Sequence, residues 1–198
     1  MEEKSVKQTI ITKALELFSA KGYEGVSVSE LAQAAEITKP TIYYYFKSKE
    51  GLFDAVCCGY YDLLNNNIRE NAVYHPNPKN YDEDIILTLT NVTKTYFSFA
   101  KTHEDFFRIT LANLSMPSSS AVFKIAEKYH FTQFDIIDSM FRSMAKAHGN
   151  LKGKSKTLTW SYIGTVNSYI GLNFAYSGQL NDKTARELVH QFMHGIFA

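Results

Sequence analysis

Hydrophobic residues near the start of the chain recur at helical spacing. Ile11, Ala14, Leu15 and Phe18 stand at positions i, i+3, i+4 and i+7, which places their side chains on one face of an α-helix. Gly22 follows the stripe, and glycine is a common helix-ending residue. The pattern therefore predicts an amphipathic first helix that ends just before Gly22.

The next residues predict a second, short helix and a tight turn. Ser27 or Ser29 can cap this helix, because a serine hydroxyl at the N-cap accepts a bond from an N–H of the first turn. The apolar positions that would face inward are Leu31, Ala32 and Ala35. Glu36-Ile37-Thr38 then turns the chain.

A third helix is predicted from Thr38 onward. Thr38 is its N-cap, and Pro40 falls in the first turn, where a missing N–H group costs nothing. Ile42 and Phe46 are four residues apart and face the core. The outward face then carries hydroxyl and aromatic side chains, from Pro40, Thr41, Tyr43 and Tyr44.

Three helices in this order, with a tight turn before the last, are typical of a helix-turn-helix. The last helix of such a motif enters the DNA major groove with its N-terminal residues. Tyrosine rings can pack on sugars and thymine methyls, threonine can reach base edges, and lysine attracts phosphate. The alternative is a three-helix core fragment with an exposed aromatic face, which is costly in a soluble monomer. DNA binding is the favoured interpretation.

Bulk charge does not indicate a nucleic-acid partner. The formal net charge is +1, and residues 1–50 contain seven lysines and seven glutamates. A strongly basic balance would be the usual mark of a DNA-binding domain. Any basic surface must therefore be local.

The first 55 or so residues resemble the N-terminal domain of the TetR family of transcriptional regulators. The resemblance is carried by Ala14-Leu15-Glu16-Leu17-Phe18, Lys21-Gly22-Tyr23, Leu31-Ala32-Gln33-Ala34-Ala35, Thr41-Ile42-Tyr43-Tyr44-Tyr45-Phe46-Lys47-Ser48-Lys49-Glu50 and Leu52-Phe53. It implies a homodimeric repressor that binds a palindromic double-stranded DNA operator and is released by a small-molecule effector. One departure is Glu36, at a turn position where the family usually has glycine.

The resemblance also implies roles for individual residues. Ser27 would bind a phosphate at the start of the second helix, and Lys49 would bind the DNA backbone. The residues that would face the groove are Thr38, Lys39, Thr41, Tyr43 and Tyr44. At Glu36, a positive φ would be strained and the carboxylate would repel phosphate.

Beyond residue 47 the pattern remains helical. Ser48 can cap a fourth helix that runs to about Asn71, and further helices are predicted at 81–101, 103–115, 121–147 and 158–176, with a last helix after Asn181. The predicted fold is all-α. It has a three-helix DNA-binding domain over 1–47 and a larger helical ligand-binding and dimerisation domain over 48–198.

The segment from Thr157 to Asn181 contains no charged residue across 25 positions. That length could cross a bilayer, but its hydroxyl and amide side chains argue against lipid and for burial between protein helices. A stripe of small residues follows one face, at Ser161, Gly164, Ser168, Gly171 and Ala175. A homodimer through the last two helices, doubled into a four-helix interface, is therefore expected, with no membrane partner.

The remaining candidate chemistry is sparse. Aromatic and polar residues of the C-terminal helices could line a pocket for a largely apolar or aromatic ligand, with Tyr96, Phe107, Leu111, His130, Phe134 and Tyr169 as candidates. The alternative is that the same side chains fill the core, which is the usual role of a histidine such as His130 within an apolar stripe.

No catalytic motif, cofactor or metal site is predicted. The spacing of His190 and His194 suits a metal, but no third ligand stands at suitable helical spacing. Cys57 and Cys58 are adjacent, so at most one can face the core, and packing is their expected role. Without a disulfide framework or an apolar leader, a cytoplasmic protein is expected. An enzyme of unknown chemistry, or a redox or metal sensor on the same scaffold, is the alternative function.

Overall fold

The computed structural model describes residues 2–77, 79–80 and 83–195. Within these residues the chain forms helices and no strand, so the predicted all-α class is confirmed. The helices are α1 Glu2–Lys21, α2 Val28–Ala34, α3 Lys39–Phe46, α4 Lys49–Asn71, α5 Ile85–Thr102, α6 Glu104–Leu114, α7 Ala121–Ala147, α8 Ser155–Tyr176 and α9 Asp182–His194. The predicted start of the fifth helix at 81–82 lies outside the described residues.

The buried face of α1 is slightly different from the predicted stripe. Ile10 is 1% exposed, whereas Ile11 is only partly buried. Ala14 and Phe18 are buried as predicted. The core face therefore follows positions 10, 14 and 18, because a spacing of four residues keeps side chains on one side of a helix.

The helix caps follow local sequence signals. The hydroxyl oxygen of Ser48 accepts a bond from the N–H of Gly51 at 3.1 Å, which confirms Ser48 as the cap of α4. The side chain of Asn181 accepts a bond from the N–H of Thr184 at 2.9 Å at the start of α9. Both side chains satisfy N–H groups that a helix leaves without partners in its first turn.

The chain divides into two compact units. The first comprises Met1–Asp62 and His103–Tyr129, where α1 packs against α2 and α6, and α2 packs against α3. The rings of Phe18 and Phe53 meet edge to face at 5.6 Å in its core. This unit is larger than the predicted 1–47 domain because α6 joins it through non-local contacts. The functional boundary at residue 47 remains a prediction.

The second unit comprises Leu63–Thr102 and His130–Ala198. Here α5 packs against α8 and α9, and α8 against α9. Tyr162 of α8 is wholly buried, and its hydroxyl lies 2.8 Å from the hydroxyl of Thr93 and 2.9 Å from the carbonyl of Leu89. These bonds satisfy a polar group that would otherwise be costly to bury.

In the part of the chain that the structure describes, no helix combines the length and apolar character needed to cross a membrane.

Candidate functional site

The N-terminus of α2 is closed by a capping box. Of the two serines predicted as caps, Ser27 occupies the N-cap, and its hydroxyl accepts a bond from the N–H of Glu30 at 3.2 Å. The carboxylate of Glu30 accepts bonds from the N–H and the hydroxyl of Ser27 at 2.8 and 2.9 Å. These bonds hold the Ser27 hydroxyl at the end of the helix. Its contact with a DNA phosphate remains a prediction.

A negative and a positive side chain, Glu30 and Lys21, lie together at the N-terminus of α2. The backbone N–H of Ser27, followed by the ammonium of Lys21, lowers the pKa of Glu30 to about 2. Lys21 lies 2.9 Å from that carboxylate. Glu30 is therefore ionised at neutral pH, and Lys21 offsets a negative charge close to the predicted phosphate position.

The turn between α2 and α3 contains the unusual residue Glu36. Its φ is +54°, in the left-handed region that glycine adopts most easily. The turn is nevertheless hydrogen-bonded, since the N–H of Ile37 donates to the carbonyl of Ala32 at 2.9 Å. A glutamate there carries a backbone strain of roughly 1–2 kcal/mol relative to glycine.

Helix α3 presents the predicted inner and outer faces. Ile42 and Phe46 are 0% and 6% exposed, so they anchor the helix to its unit. Tyr43 and Tyr44 are 46% and 66% exposed, and Thr41 is partly exposed. The outer face therefore offers two accessible tyrosine rings and a threonine, the side chains predicted to face the groove.

The start of α3 differs in one detail from the expectation. Thr38 is the N-cap, but its hydroxyl makes no capping bond and lies 3.0 Å from the hydroxyl of Thr41. Thr38 and Thr41, both predicted to contact DNA, are thus hydrogen-bonded to each other. This bond orients both hydroxyls at the exposed start of α3. Lys39, next in the chain, is exposed.

Lys49 lies in a different setting from Lys39. Its ammonium donates to the carbonyls of Tyr23 and Val26, each at 3.1 Å, and lies 4.1 Å from the centre of the Tyr23 ring. These contacts tie the start of α4 to the segment between α1 and α2. The contact of Lys49 with the DNA backbone remains a prediction.

The candidate ligand residues fall into both units. Phe107 and Leu111 belong to the first, and the remaining four, Tyr96, His130, Phe134 and Tyr169, belong to the second. Tyr96 and Phe107 are 0% and 1% exposed, so their rings contribute to interior packing. The other four are partly exposed. Their roles in ligand binding remain predictions.

Two of these residues have informative surroundings. Burial lowers the pKa of His130 to about 4, so its imidazole is neutral at neutral pH. Tyr169 lines a cleft of about 370 Å³ near the junction of α8 and α9. The ring of Phe134 lies 4.7 Å from that of Trp160 and packs against it.

The outer side of α8 is open and carries small residues of the predicted stripe, since Ser161, Gly164, Ser168 and Ala175 are exposed. Trp160, Leu172 and Tyr176 are 62%, 57% and 79% exposed. A Cβ atom added to Gly164 would meet no atom within 4 Å. Leu172 lies among these small residues, whereas Trp160 and Tyr176 lie about 160° apart around the helix and so border the open side.

The cysteine pair and the histidine pair are the sequence features considered above for redox or metal chemistry. Cys57 is buried and Cys58 exposed, which confirms that only one faces the core. Burial raises the pKa of Cys57 to about 12 and, with Asp62, raises that of Cys58, so both thiols stay protonated. The rings of His190 and His194 lie 4.6 Å apart, and no group of three metal-ligating side chains occurs in the described residues.

Comparison with known proteins identifies the family. Residues 10–56 match the family model described as bacterial regulatory proteins, tetR family. The chain is 30% identical over 148 residues to the HTH-type transcriptional regulator YuxN of Bacillus subtilis, covering 74% of this chain and 47% of that protein. Over 83 residues it is 37% identical to IcaR of Staphylococcus aureus, a negative transcriptional regulator of the biofilm operon icaADBC, covering 41% of each chain.

The fold is also that of a solved regulator. The structure of FadR from Bacillus subtilis in complex with stearoyl-CoA matches with a TM-score of 0.79 and 18% identity, over 96% of this chain and 98% of that chain. The chain spans less than half the length of each of these two curated relatives. The family match lies over the helix-turn-helix described above, and the chain belongs to the TetR family of bacterial regulatory proteins.

Proposed function

We propose that the protein is a transcriptional regulator that binds a palindromic DNA operator through α3. The observation that carries this proposal is the outer face of α3, where Tyr43 and Tyr44 are exposed while Ile42 and Phe46 are buried. Such exposure of aromatic side chains suits a surface that meets DNA sugars and thymine methyls. Thr38, Lys39 and Thr41 add hydroxyl and ammonium donors at the same end of the helix.

The proposed mode of action is repression that a small molecule relieves. IcaR, which shares the N-terminal part of the sequence, is named as a negative regulator, and this supports repression. FadR was solved with stearoyl-CoA, whose acyl chain is apolar, and this supports the apolar part of the proposed small, largely apolar or aromatic effector. Such an effector shifts DNA binding only by its difference in affinity between two conformations of the protein.

A homodimer through α8 and α9 is part of the proposal. The open side of α8 supports it, because its small residues would let a second copy approach closely and cover the exposed Leu172. Two recognition helices held about 34–36 Å apart would then meet successive major grooves on one side of the DNA. Such a regulator acts on chromosomal DNA, so we assign it to the cytoplasm.

The alternative functions receive less support. The curated relatives are named as transcriptional regulators, which favours a regulator over an enzyme. A redox sensor would need a readily formed thiolate, whereas the surroundings of Cys57 and Cys58 raise both thiol pKa values.

The test is a gel-shift titration at fixed salt with the intergenic DNA beside the protein's own gene. Tyr43→Ala should weaken specific binding by roughly tenfold, because it removes a base-proximal contact. Leu87→Ala is the matched control, since Leu87 is 48% exposed but lies on α5. Equal affinity of the wild type and Tyr43→Ala would contradict the assignment of α3.

A further inference from the structure

A cleft that the sequence patterns do not reveal lies in the second unit, between the end of α4 and one face of α7. Its volume is about 570 Å³, within the range of small-molecule sites. The lining residues come from two short stretches: Arg69, Ala72, Val73 and Tyr74 on one side, and Thr132, Asp135, Ile136, Ser139, Met140 and Ser143 on the other.

We infer that this cleft binds an amphipathic organic anion, with one acidic group and an apolar or aromatic body. The inference deepens the proposed function by naming the site and chemical class of an effector, and only its regulatory meaning rests on that function. The site differs from the six candidate residues suggested by the sequence, none of which lines this cleft.

Arg69 supplies the specificity for an acidic group. It is exposed, and one guanidinium nitrogen donates to the side-chain oxygen of Asn66 at 2.8 Å, which orients the group. A guanidinium has five N–H donors, so this bond leaves enough for a two-point contact with a carboxylate or sulfonate. Asp135 is exposed in the same cleft and disfavours a ligand with several negative charges, because like charges repel.

The body of the ligand would lie on apolar surface. Met140 is only 3% exposed and contributes to the cleft floor, while Val73 is 56% exposed at its wall. Ser139 and Ser143 lie one helical turn apart on α7, so their hydroxyls share the face that lines the cleft. Apolar walls with a few placed polar groups are typical of small-molecule sites.

The wall at Tyr74 is fixed by a buried network. The hydroxyl of Tyr74 lies 3.0 Å from Nε2 of His148, and the same nitrogen lies 2.8 Å from a carboxylate oxygen of Asp84. His148 and Asp84 are 5% and 1% exposed. This network connects the cleft to the end of α7 and to the segment before α5. A ligand that moves Tyr74 would therefore act on both helices.

The experiment uses two fluorescent probes that differ in charge. Anilinonaphthalene sulfonate has one sulfonate, an aromatic body and an N–H donor, whereas phenylnaphthylamine has the same body without the sulfonate. Titration of the full chain should show saturable binding of the sulfonate probe to the wild type. Arg69→Gln should weaken this binding by about tenfold, the effect of one charge-assisted contact, and should leave binding of the neutral probe unchanged.

Two further variants complete the test. Lys146→Gln is the matched control, because it removes one exposed positive charge from α7 at a position that does not line the cleft. Ser139→Trp places a bulky ring in the cleft and should abolish binding of both probes. Circular dichroism and urea unfolding establish that each variant is folded, and Arg69→Gln tests the inference on its own if Ser139→Trp does not fold.

Three results would overturn the inference: no saturable binding of the sulfonate probe to the wild type, equal affinity of Arg69→Gln and Lys146→Gln, or full binding by folded Ser139→Trp. All of these measurements are made on the protein without DNA. A gel shift without either probe tests the proposed function separately, so failure of the cleft and failure of DNA recognition are distinguishable.

Discussion

The ammonium of Lys49 lies 4.1 Å from the centre of the Tyr23 ring and donates to the Tyr23 carbonyl at 3.1 Å. A second bond, to the carbonyl of Val26, fixes the same ammonium over the segment that leads into α2. Lys49 thus connects the start of α4 to the entrance of the helix-turn-helix. This position gives it a structural role whether or not it also contacts DNA.

Lys49→Met should lower the free energy of unfolding by about 1–3 kcal/mol, because it removes two hydrogen bonds from a charged donor in a partly buried site. Urea unfolding followed by circular dichroism measures the change. Lys47→Met is the control, since the Lys47 ammonium donates to the nearby Tyr44 carbonyl of α3, at 3.2 Å, and this bond is local.

A salt titration of DNA binding separates the two roles of Lys49. If its ammonium also neutralises a phosphate, the slope of log affinity against log salt should fall by about 0.9 in Lys49→Met. An unchanged slope with reduced stability would leave Lys49 a purely structural residue.

Replacing Glu36 by glycine should both stabilise the protein and tighten DNA binding. The φ of +54° is easily adopted by glycine, so Glu36→Gly should gain roughly 1 kcal/mol in the free energy of unfolding. Loss of a carboxylate near the recognition helix should also reduce repulsion of phosphate. Urea unfolding and gel-shift titration measure the two effects.

Glu36→Gln separates strain from charge. It removes the carboxylate but keeps a side chain at positive φ, so it should tighten DNA binding with little gain in stability. A Glu36→Gly variant no more stable than Glu36→Gln would show that the turn carries no strain.

A large side chain at Gly164 should disrupt the proposed dimer. A Cβ atom there meets nothing within 4 Å, so Gly164→Leu fits the single chain and improves helix propensity. Sedimentation velocity should show a shift from dimer to monomer. Gly59→Leu is the matched control, because Gly59 is also helical and equally open but lies on α4. An unchanged sedimentation profile for Gly164→Leu would place the interface elsewhere.

His130 should make the protein less stable in mild acid. Its pKa is about 4 in the folded chain, lowered by burial, against an ordinary value of 6.5. Between these values the unfolded chain binds a proton that the folded chain does not, so stability falls as the pH drops from about 6.5 towards 4.

The lost stability should reach roughly 2–3 kcal/mol, allowing for partial solvent exposure. Urea unfolding at pH values on either side of this window measures it. His130→Gln is the comparison variant, and it should lose less stability than the wild type as the pH falls. The same pH dependence in both proteins would assign the effect to other groups.

The helix-turn-helix was predictable because its signals are local. Ser27 and Glu30 are three residues apart and form a capping box, while Ile42 and Phe46 are four apart and both buried. Ser48 likewise caps α4. In each case the residues that determine the structure are close together in the chain, so spacing alone contains the information.

The non-local arrangement was harder to predict. Residues 103–129 join the first unit through contacts with α1, which no helical period encodes. Periodicity also cannot separate a ring that lines a pocket from one that fills the core, and Tyr96 proved to be fully buried. Conversely, Ser139 and Ser143 look like ordinary surface positions of an amphipathic helix. Only the position of α4 turns that face into a cleft.

The lack of charge on α8 limits how the proposed dimer can distinguish its own chain from related regulators. From Thr157 to Tyr176 the helix has no acidic or basic side chain with which to repel a wrong partner. In the proposed dimer, the contribution of α8 to discrimination against other regulators must then come from shape, through the open space at Gly164 and the projecting ring of Trp160, while α9 supplies the charged side chains of the interface. A small change in side-chain volume on this helix would suffice to create or abolish mixed pairs.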